Sequence, residues 1–334
     1  MTTPLQSVEQ EVESTEQVAA GAERAIVGRS PWQIATSRFR RDKVSMVALA
    51  VVILSIVTAI AAPILSAAGV FDPYAFHYNL VGGLGSLPTG PWGGISVSHP
   101  FGVEPGTGRG LFSRVLMGIS FSLIIATGAT IVSLVIGGLL GIIAGYTGKA
   151  TDFWVSRGMD LVLAFPSTLM LLALSPVLKP RITALGVPAG TATNAVYLIL
   201  VIGFFNWPYI GRILRGQVLS LRNREFVEAA RSLGAKRRRI WLRELLPNLW
   251  APIIVYVTLT LPLNIAAEAA LSYLGVGLQA PTPSLGNILN NSVSYFDTDP
   301  AFFYIPGIVL VTIVLAWNLV GDGLRDALDP KSTR

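Results

Sequence analysis

Two stretches of this sequence, Val44 to Phe71 and Val115 to Gly148, carry no charged side chain at all. About 20 apolar residues suffice to cross the hydrocarbon core of a bilayer. A chain in lipid must also satisfy its own backbone N–H and C=O groups, which a helix does within one segment. Runs of this length and purity therefore commit the chain to membrane helices. Four more apolar runs complete the pattern, at about Phe153–Leu178, Ala195–Gly211, Pro247–Leu274 and Pro300–Gly321. The expected fold is all-α, a polytopic membrane protein with six transmembrane helices. Composition bears this out, since only 13% of the 334 residues are charged, against about a quarter in soluble domains.

The distribution of positive charge sets the orientation. Of 25 lysines and arginines, 21 fall in segments that share a side with the N-terminus; the other side holds only Arg109, Arg114, Lys179 and Arg181. Basic residues collect on the cytoplasmic side of short loops, which predicts both termini in the cytoplasm. The net charge of +6 then reflects membrane orientation and gives no reason to invoke nucleic acid. There is no cysteine, which excludes disulfides, thiolate catalysis and zinc–thiolate sites.

The chain divides as follows. Residues 1–29 are polar and lack apolar periodicity; they read as a disordered cytoplasmic tail without the h-region of a removable signal peptide. Residues 30–71 read as a short basic helix lying at an anionic membrane surface, then the first span. Residues 72–113 form an extracytoplasmic loop rich in Gly, Pro and aromatic side chains, and 114–321 hold five more helices. Residues 322–334 form a cytoplasmic tail. Within the second span Gly137, Gly141 and Gly145 recur every fourth residue, a smooth ridge for close helix packing.

One polar stretch, 222–249, interrupts the apolar runs on the cytoplasmic side. Phe226, Ala229, Ala230 and Leu233 form one stripe of a 3.6-residue period. Asn223 is expected to cap this helix, with Glu225 and Glu228 at its positive end. Gly234 is expected to end it in the left-handed conformation. The helix Asn223–Leu233 would be about 16 Å long. Pro247 is expected to open the next span as a first-turn proline.

Glu228-Ala229-Ala230, the glycine at 234 and Leu246-Pro247-Asn248 resemble the cytoplasmic "EAA" loop of ABC-importer permeases. Where that family usually has His before the Leu-Pro-Asn, this chain has Glu244. Arg157-GMDLVLAF-Pro166, His99-Pro-Phe-Gly102 with Gly108-Arg109, Glu268 to Ile288 and Gly321 to Lys331 resemble signatures of the dipeptide/oligopeptide/nickel subfamily, its DppC/OppC-type half. The resemblance covers nearly everything from Ser30 to Lys331. It implies a type I (MetI-like) permease core in a bacterial inner membrane, with Glu225, Glu228, Ala229, Ala230, Gly234, Leu246, Pro247 and Asn248 coupling to an ATPase. It further implies a second homologous permease, ABC ATPase subunits or domains and an extracytoplasmic substrate-binding protein as partners, besides membrane lipid. ATP and magnesium would be held by the ATPase, with no cofactor in this chain. Peptides are the expected substrate; nickel chelates or another small solute are served by similar permeases.

Two carboxylates lie within apolar runs and are candidates for the translocation pathway. Asp160 has Arg157 three residues before it, so a structural ion pair is the alternative. Glu268 lies about 30 Å along a helix begun at Pro247, near the far surface, where it faces water, caps a loop or lines the outer mouth. No chemistry of other classes is written in the chain. Gly148-Lys149 lacks the first glycine and the closing Ser or Thr of a phosphate loop, and Gly106-TGR-Gly110 follows no predicted strand. Gly118-Ile-Ser-Phe-Ser122 lacks the last glycine of a nucleophile elbow. A secondary transporter or channel would need several buried ionisable groups or broken helices at midplane.

Overall fold

The computed structural model describes residues 31–83 and 86–328; the tail assigned to 1–29 and the last six residues lie outside them. An amphipathic helix α1 (Pro31–Arg41) precedes α2 (Lys43–Ala67), and Asp42 caps α2 by accepting from the Val44 N–H. An irregular segment follows, with a two-residue hairpin of β1 (Val81–Gly82) and β2 (Leu87–Pro88), paired antiparallel. Then come α3 (Leu111–Thr147), α4 (Lys149–Ala164), α5 (Ser167–Ala184), α6 (Thr191–Leu221) and α7 (Glu225–Ser232). After α7 the chain makes irregular helical turns and continues as α8 (Trp250–Tyr273), α9 (Leu285–Val293) and α10 (Pro300–Leu328).

Among the described residues, α2, α3, α6, α8 and α10 are each long and apolar enough to cross a membrane. Their outward faces carry large apolar side chains such as Val47, Leu54, Ile131, Leu139 and Val311, as lipid-facing helices do. The expected third span differs. It is two helices, α4 and α5, bent by 86° at their junction. The cause is local: Pro166 has no N–H to donate into a continuing helix, and it holds Phe165 extended, at φ −87° and ψ 134°. Among the described residues there are thus five single-helix candidate spans, or six if the bent pair is taken as one.

Boundaries shift elsewhere too. The last helix runs past Gly321 to Leu328, so residues 322–328 belong to it and not to a tail. The fifth span starts at Trp250, because Pro247 lies in a separate 3-10 turn, Leu246–Asn248. α9 follows Ser284, which accepts from the Asn287 N–H while Asn287 Oδ1 accepts from the Ser284 N–H, a reciprocal cap.

α3 and α6 form the spine. A Cβ on Gly137 would lie 2.3 Å from the Trp207 carbonyl oxygen, one on Gly141 2.6 Å from that of Gly211, and one on Gly145 2.8 Å from that of Arg215. The glycine ridge of α3 therefore lies directly on the backbone of α6. A polar thread crosses the same layer. Asn206 Nδ2 donates to Asn264 Oδ1 at 2.7 Å, and Asn264 Nδ2 to Thr130 Oγ1 at 2.8 Å, joining α6, α8 and α3. Side chains able to bond across helices are a recurrent source of cohesion in lipid.

Candidate functional site

α7 is shorter than its apolar stripe suggests, eight residues or about 12 Å. Its N-cap is Arg224, with extended backbone and no side-chain bond, and Asn223 lies one residue too early to cap it. Glu225 and Glu228 in the first turn supply the negative charge that its positive end favours. The C-terminal end is as expected. Gly234 has φ +74°, its N–H donates to the Arg231 carbonyl at 2.9 Å, and the Ala235 N–H donates to the Ala230 carbonyl at 3.0 Å. That pair of bonds is the Schellman closure, and it needs a residue that tolerates positive φ.

The face that α7 buries is not the predicted stripe. Val227 is its one buried residue, fully enclosed beside Leu214 and Val218 of α6 and Ile240, Leu245 and Leu249 of the returning chain. One turn on, Arg231 donates from Nε to the Tyr146 hydroxyl at 3.3 Å, with its guanidinium carbon 5.0 Å from that ring's centroid. Trp241 meets Tyr146 edge-on at 6.0 Å. Phe226, Ala229 and Leu233 turn outward, Leu233 being 88% exposed, while Ala230 is half-buried against the Val227 cluster. With Gly234, Ala235, Lys236, Arg239 and Glu244 they line a groove of about 570 Å³. An apolar stripe that would be core in an ordinary surface helix is here the floor of an open cleft.

The far wall of the cleft is a wide turn. Arg237–Arg239 make a single helical turn, Ile240–Leu245 a π-helical one and Leu246–Asn248 a 3-10 one. Asn248 Nδ2 donates to the Glu244 carbonyl at 2.7 Å and stitches the last two together. π-turns are uncommon and collect at functional sites. Leu246 packs against the Val227 cluster, while Pro247 and Asn248 face solvent. Glu244, half-buried, is the one acid among the groove's lining residues.

The two pathway candidates fall far from one another and have different partners. Asp160 on α4 is half-exposed and receives Arg157 at 3.3 Å, as its spacing suggests, but also Arg212 of α6 at 2.6 Å. Eight residues before it, Asp152 accepts from Arg215 of α6, with Nη2 to Oδ2 at 2.8 Å. Asp152 and Asp160 lie on one face of α4, and Arg212 and Arg215 on the facing side of α6, so two ion pairs clamp these helices. Sequence reasoning passed over Arg212 and Arg215; their i, i+3 spacing was the available signal. Glu268 neither faces water nor lines an open mouth in this chain, because it is fully buried. Ser122 of α3 donates to its Oε2 at 2.5 Å and Ser272 to its Oε1 at 2.6 Å. Ser272 Oγ in turn accepts from the Leu278 N–H at 3.1 Å. Glu268 thus joins α3, α8 and the loop that follows α8.

Comparison with known proteins gives a consistent result. Residues 137–334 match the family described as "Binding-protein-dependent transport system inner membrane component", and residues 30–81 match the "N-terminal TM domain of oligopeptide transport permease C". The chain is 36% identical over 302 residues to the dipeptide transport system permease protein DppC of Alkalihalophilus pseudofirmus, covering 90% of each. It is 36% identical to the oligopeptide transport system permease protein OppC of Bacillus subtilis, again over 90% of each. It is 37% identical over 307 residues to the glutathione transport system permease protein GsiD of Escherichia coli, covering 91% of each. Among solved structures, a chain of the inward-facing MetNI methionine ABC transporter superposes with a TM-score of 0.51 at 21% identity. That match covers 66% of this chain and 98% of the other, and at that identity it speaks for the fold alone.

Proposed function

The chain belongs to the family of binding-protein-dependent transport system inner membrane components, and from that premise we propose that it forms half of the pathway of an ATP-driven importer of di- and oligopeptides. Dipeptide, oligopeptide and glutathione permeases lie at 36–37% identity over nine-tenths of the chain, which supports a peptide substrate. The other half of the pathway is a second permease of the same family. Nucleotide-binding subunits, which carry the ATP and magnesium, meet this chain from the cytoplasm, where both termini also lie. A binding protein delivers substrate from outside.

The observation that carries this reading is the open groove beside α7. Its apolar floor of Phe226, Ala229, Ala230 and Leu233, rimmed by Lys236, Arg239 and Glu244, suits a protein partner better than water. The contacts beneath it suit a lever. A push on α7 passes through Val227 to Leu214 and Val218 of α6. From α6 it passes through the glycine ridge to α3 and through Arg212 and Arg215 to α4. At the far end Ser122 and Glu268 tie α3 to α8 and its loop. Elements coupled so closely move as one body, which is what rocking between inward and outward access requires.

The test is reconstitution of the importer in liposomes with Gly234→Val or Glu228→Lys. A Cβ at Gly234 meets nothing within 4 Å, so valine there strains only the backbone, by about 1–2 kcal/mol, and displaces the helix end. Glu228→Lys reverses charge at an exposed first-turn position. Both proteins should reach the membrane and fold, yet fail in uptake and in substrate-stimulated ATP hydrolysis. Normal uptake by both would mean that segment 222–249 merely anchors the chain.

A further inference from the structure

Where segment 222–249 returns to the membrane, it leaves a second groove against α3. Val135, Leu139 and Ile142 of α3 form one wall, and Leu242, Leu246 and Trp250 the other. The groove holds about 320 Å³, and none of its lining side chains carries a charge or a hydroxyl. It is open: Val135, Leu139, Leu242 and Trp250 are 52–60% exposed. The α3 wall belongs to a helix long and apolar enough to cross a membrane, so whatever covers the groove lies at bilayer depth. From Leu134 to Ile143, both in its lining, α3 rises about 14 Å. The hydrocarbon of one leaflet is about 15 Å deep.

One end of the groove carries cations. Trp241, also in its lining, meets Tyr146 of α3 edge-on at 6.0 Å, and the Arg231 guanidinium carbon lies 5.0 Å from that same ring's centroid. Arg237 and Arg238 precede Trp241 and Leu242 by four residues each, about one helical turn, which stacks them above the lining on the same side. All three arginines are exposed. The ion pairs found among the described residues include none of them. Indoles such as Trp241 and Trp250 favour the boundary between hydrocarbon and water. The order along the groove is therefore apolar slot, aromatic boundary, unpaired cations. A phospholipid presents the complementary order of acyl chain, ester and phosphate.

We propose that an anionic phospholipid seats one acyl chain in this groove and sets its phosphate against Arg231, Arg237 and Arg238. The inference goes beyond the functional reading above and needs only that segment 222–249 lies at a membrane face, whatever solute is carried. Clusters of basic side chains at the ends of membrane helices attract anionic head groups. The groove is distinct from the one lined by Phe226 and Ala229, with which it shares no lining residue. Its depth in the hydrocarbon separates it from a partner that docks from the aqueous side. A lipid held there packs between α3 and the return segment, the two elements that flank the Val227 cluster.

Quenching by brominated lipid tests this. The assembled importer is placed in phosphatidylcholine nanodiscs with a rising share of acyl-brominated phosphatidylglycerol or, in parallel, of acyl-brominated phosphatidylcholine. Bromine quenches an indole it touches, and the emission lost on Trp250→Phe substitution isolates the groove. At equal low share, brominated phosphatidylglycerol should quench this emission about fivefold more than brominated phosphatidylcholine, and the effect should saturate. The double variant Arg237→Gln/Arg238→Gln should erase the preference. So should Gly138→Leu, which fills the groove from its lining; a Cβ there lies 3.7 Å from Leu214 Cδ1, an ordinary contact. Equal quenching by the two lipids, a rise merely proportional to share, or a preference that survives either variant overturns the proposal. Quenching by neither lipid means that a protein surface, the second permease included, covers the groove, and overturns it as well. Each of these results leaves the functional reading intact, since that reading stands or falls on uptake and ATP hydrolysis.

Discussion

Shortening Val227 to alanine should uncouple α7 from the membrane helices without unfolding them. Val227 is fully buried and is the one buried side chain of its helix. Losing two buried carbons removes about 1.6 kcal/mol of transfer free energy. The void between Leu214, Ile240 and Leu245 brings the total to about 2–3 kcal/mol. Besides Val227, α7 is held by half-buried Ala230 on the same cluster and by Arg231, which bonds to and stacks on Tyr146, the stacking being on the order of 0.5–1 kcal/mol at an exposed site. A loss of about 2 kcal/mol shifts the docking equilibrium of α7 roughly thirty-fold. Hydrogen exchange over 225–232 should quicken accordingly, while α3 and α6 keep their protection. In proteoliposomes the peptide carried per ATP hydrolysed should fall, because closure of the nucleotide-binding pair then moves a detached helix. Leu233→Ala serves as the contrast, since that side chain is 88% exposed and supports nothing beneath it. It should leave exchange unchanged and weaken only association with the ATPase. If Val227→Ala exchanges and transports as wild type does, force does not pass through Val227, and the lever argument is wrong.

Further outcomes follow from other parts of the fold. Gly141→Val drives a side chain into the Gly211 backbone of α6, where a Cβ alone would lie 2.6 Å from oxygen; a loss of at least 1–3 kcal/mol is expected, read as a lower melting temperature in detergent. Gly158→Ala, with nothing within 4 Å of the new carbon, should melt at or above the wild-type temperature. Asp299 titrates above its ordinary 3.8 because burial disfavours its charge. The stabilisation tied to its protonated form is therefore complete below 3.8 and is lost as pH rises through its raised value. Asp299→Asn, neutral throughout, should then be at least as stable as wild type at pH 7, with the advantage vanishing as pH falls towards 3.8; a variant less stable at pH 7 refutes this. A cytoplasm-active reporter fused after Arg224 should be active, and one after Ser98 silent; activity at Ser98 overturns the orientation.

Much of this protein could be read in the chain because lipid imposes one-dimensional rules. Charge-free runs of sufficient length must become helices, and basic residues sort to one side, whatever the neighbours do. The glycine ridge at 137, 141 and 145 and the left-handed Gly234 were likewise visible, because each follows from a single residue type at a fixed spacing. Periodicity alone left open which face of α7 meets the protein. It marks Phe226, Ala229, Ala230 and Leu233 as one stripe, but Val227 from outside that stripe enters the core, because α6 and the π-turned return segment leave a socket there. Pro166 was the available signal of the break between α4 and α5, but its presence alone does not give the 86° angle. Glu268 had a sequence position near the outer surface, but its burial required Ser122 from α3, 146 residues away. Asp299, which no sequence pattern marked, is enclosed only because residues 87–93 fold against it. Propensity and span length are sums over a residue and its near neighbours, so the chain alone determined them. Which polar group is enclosed, and by what partner, depends on surfaces distant in sequence that meet only when the bundle closes, and there the tertiary structure decided.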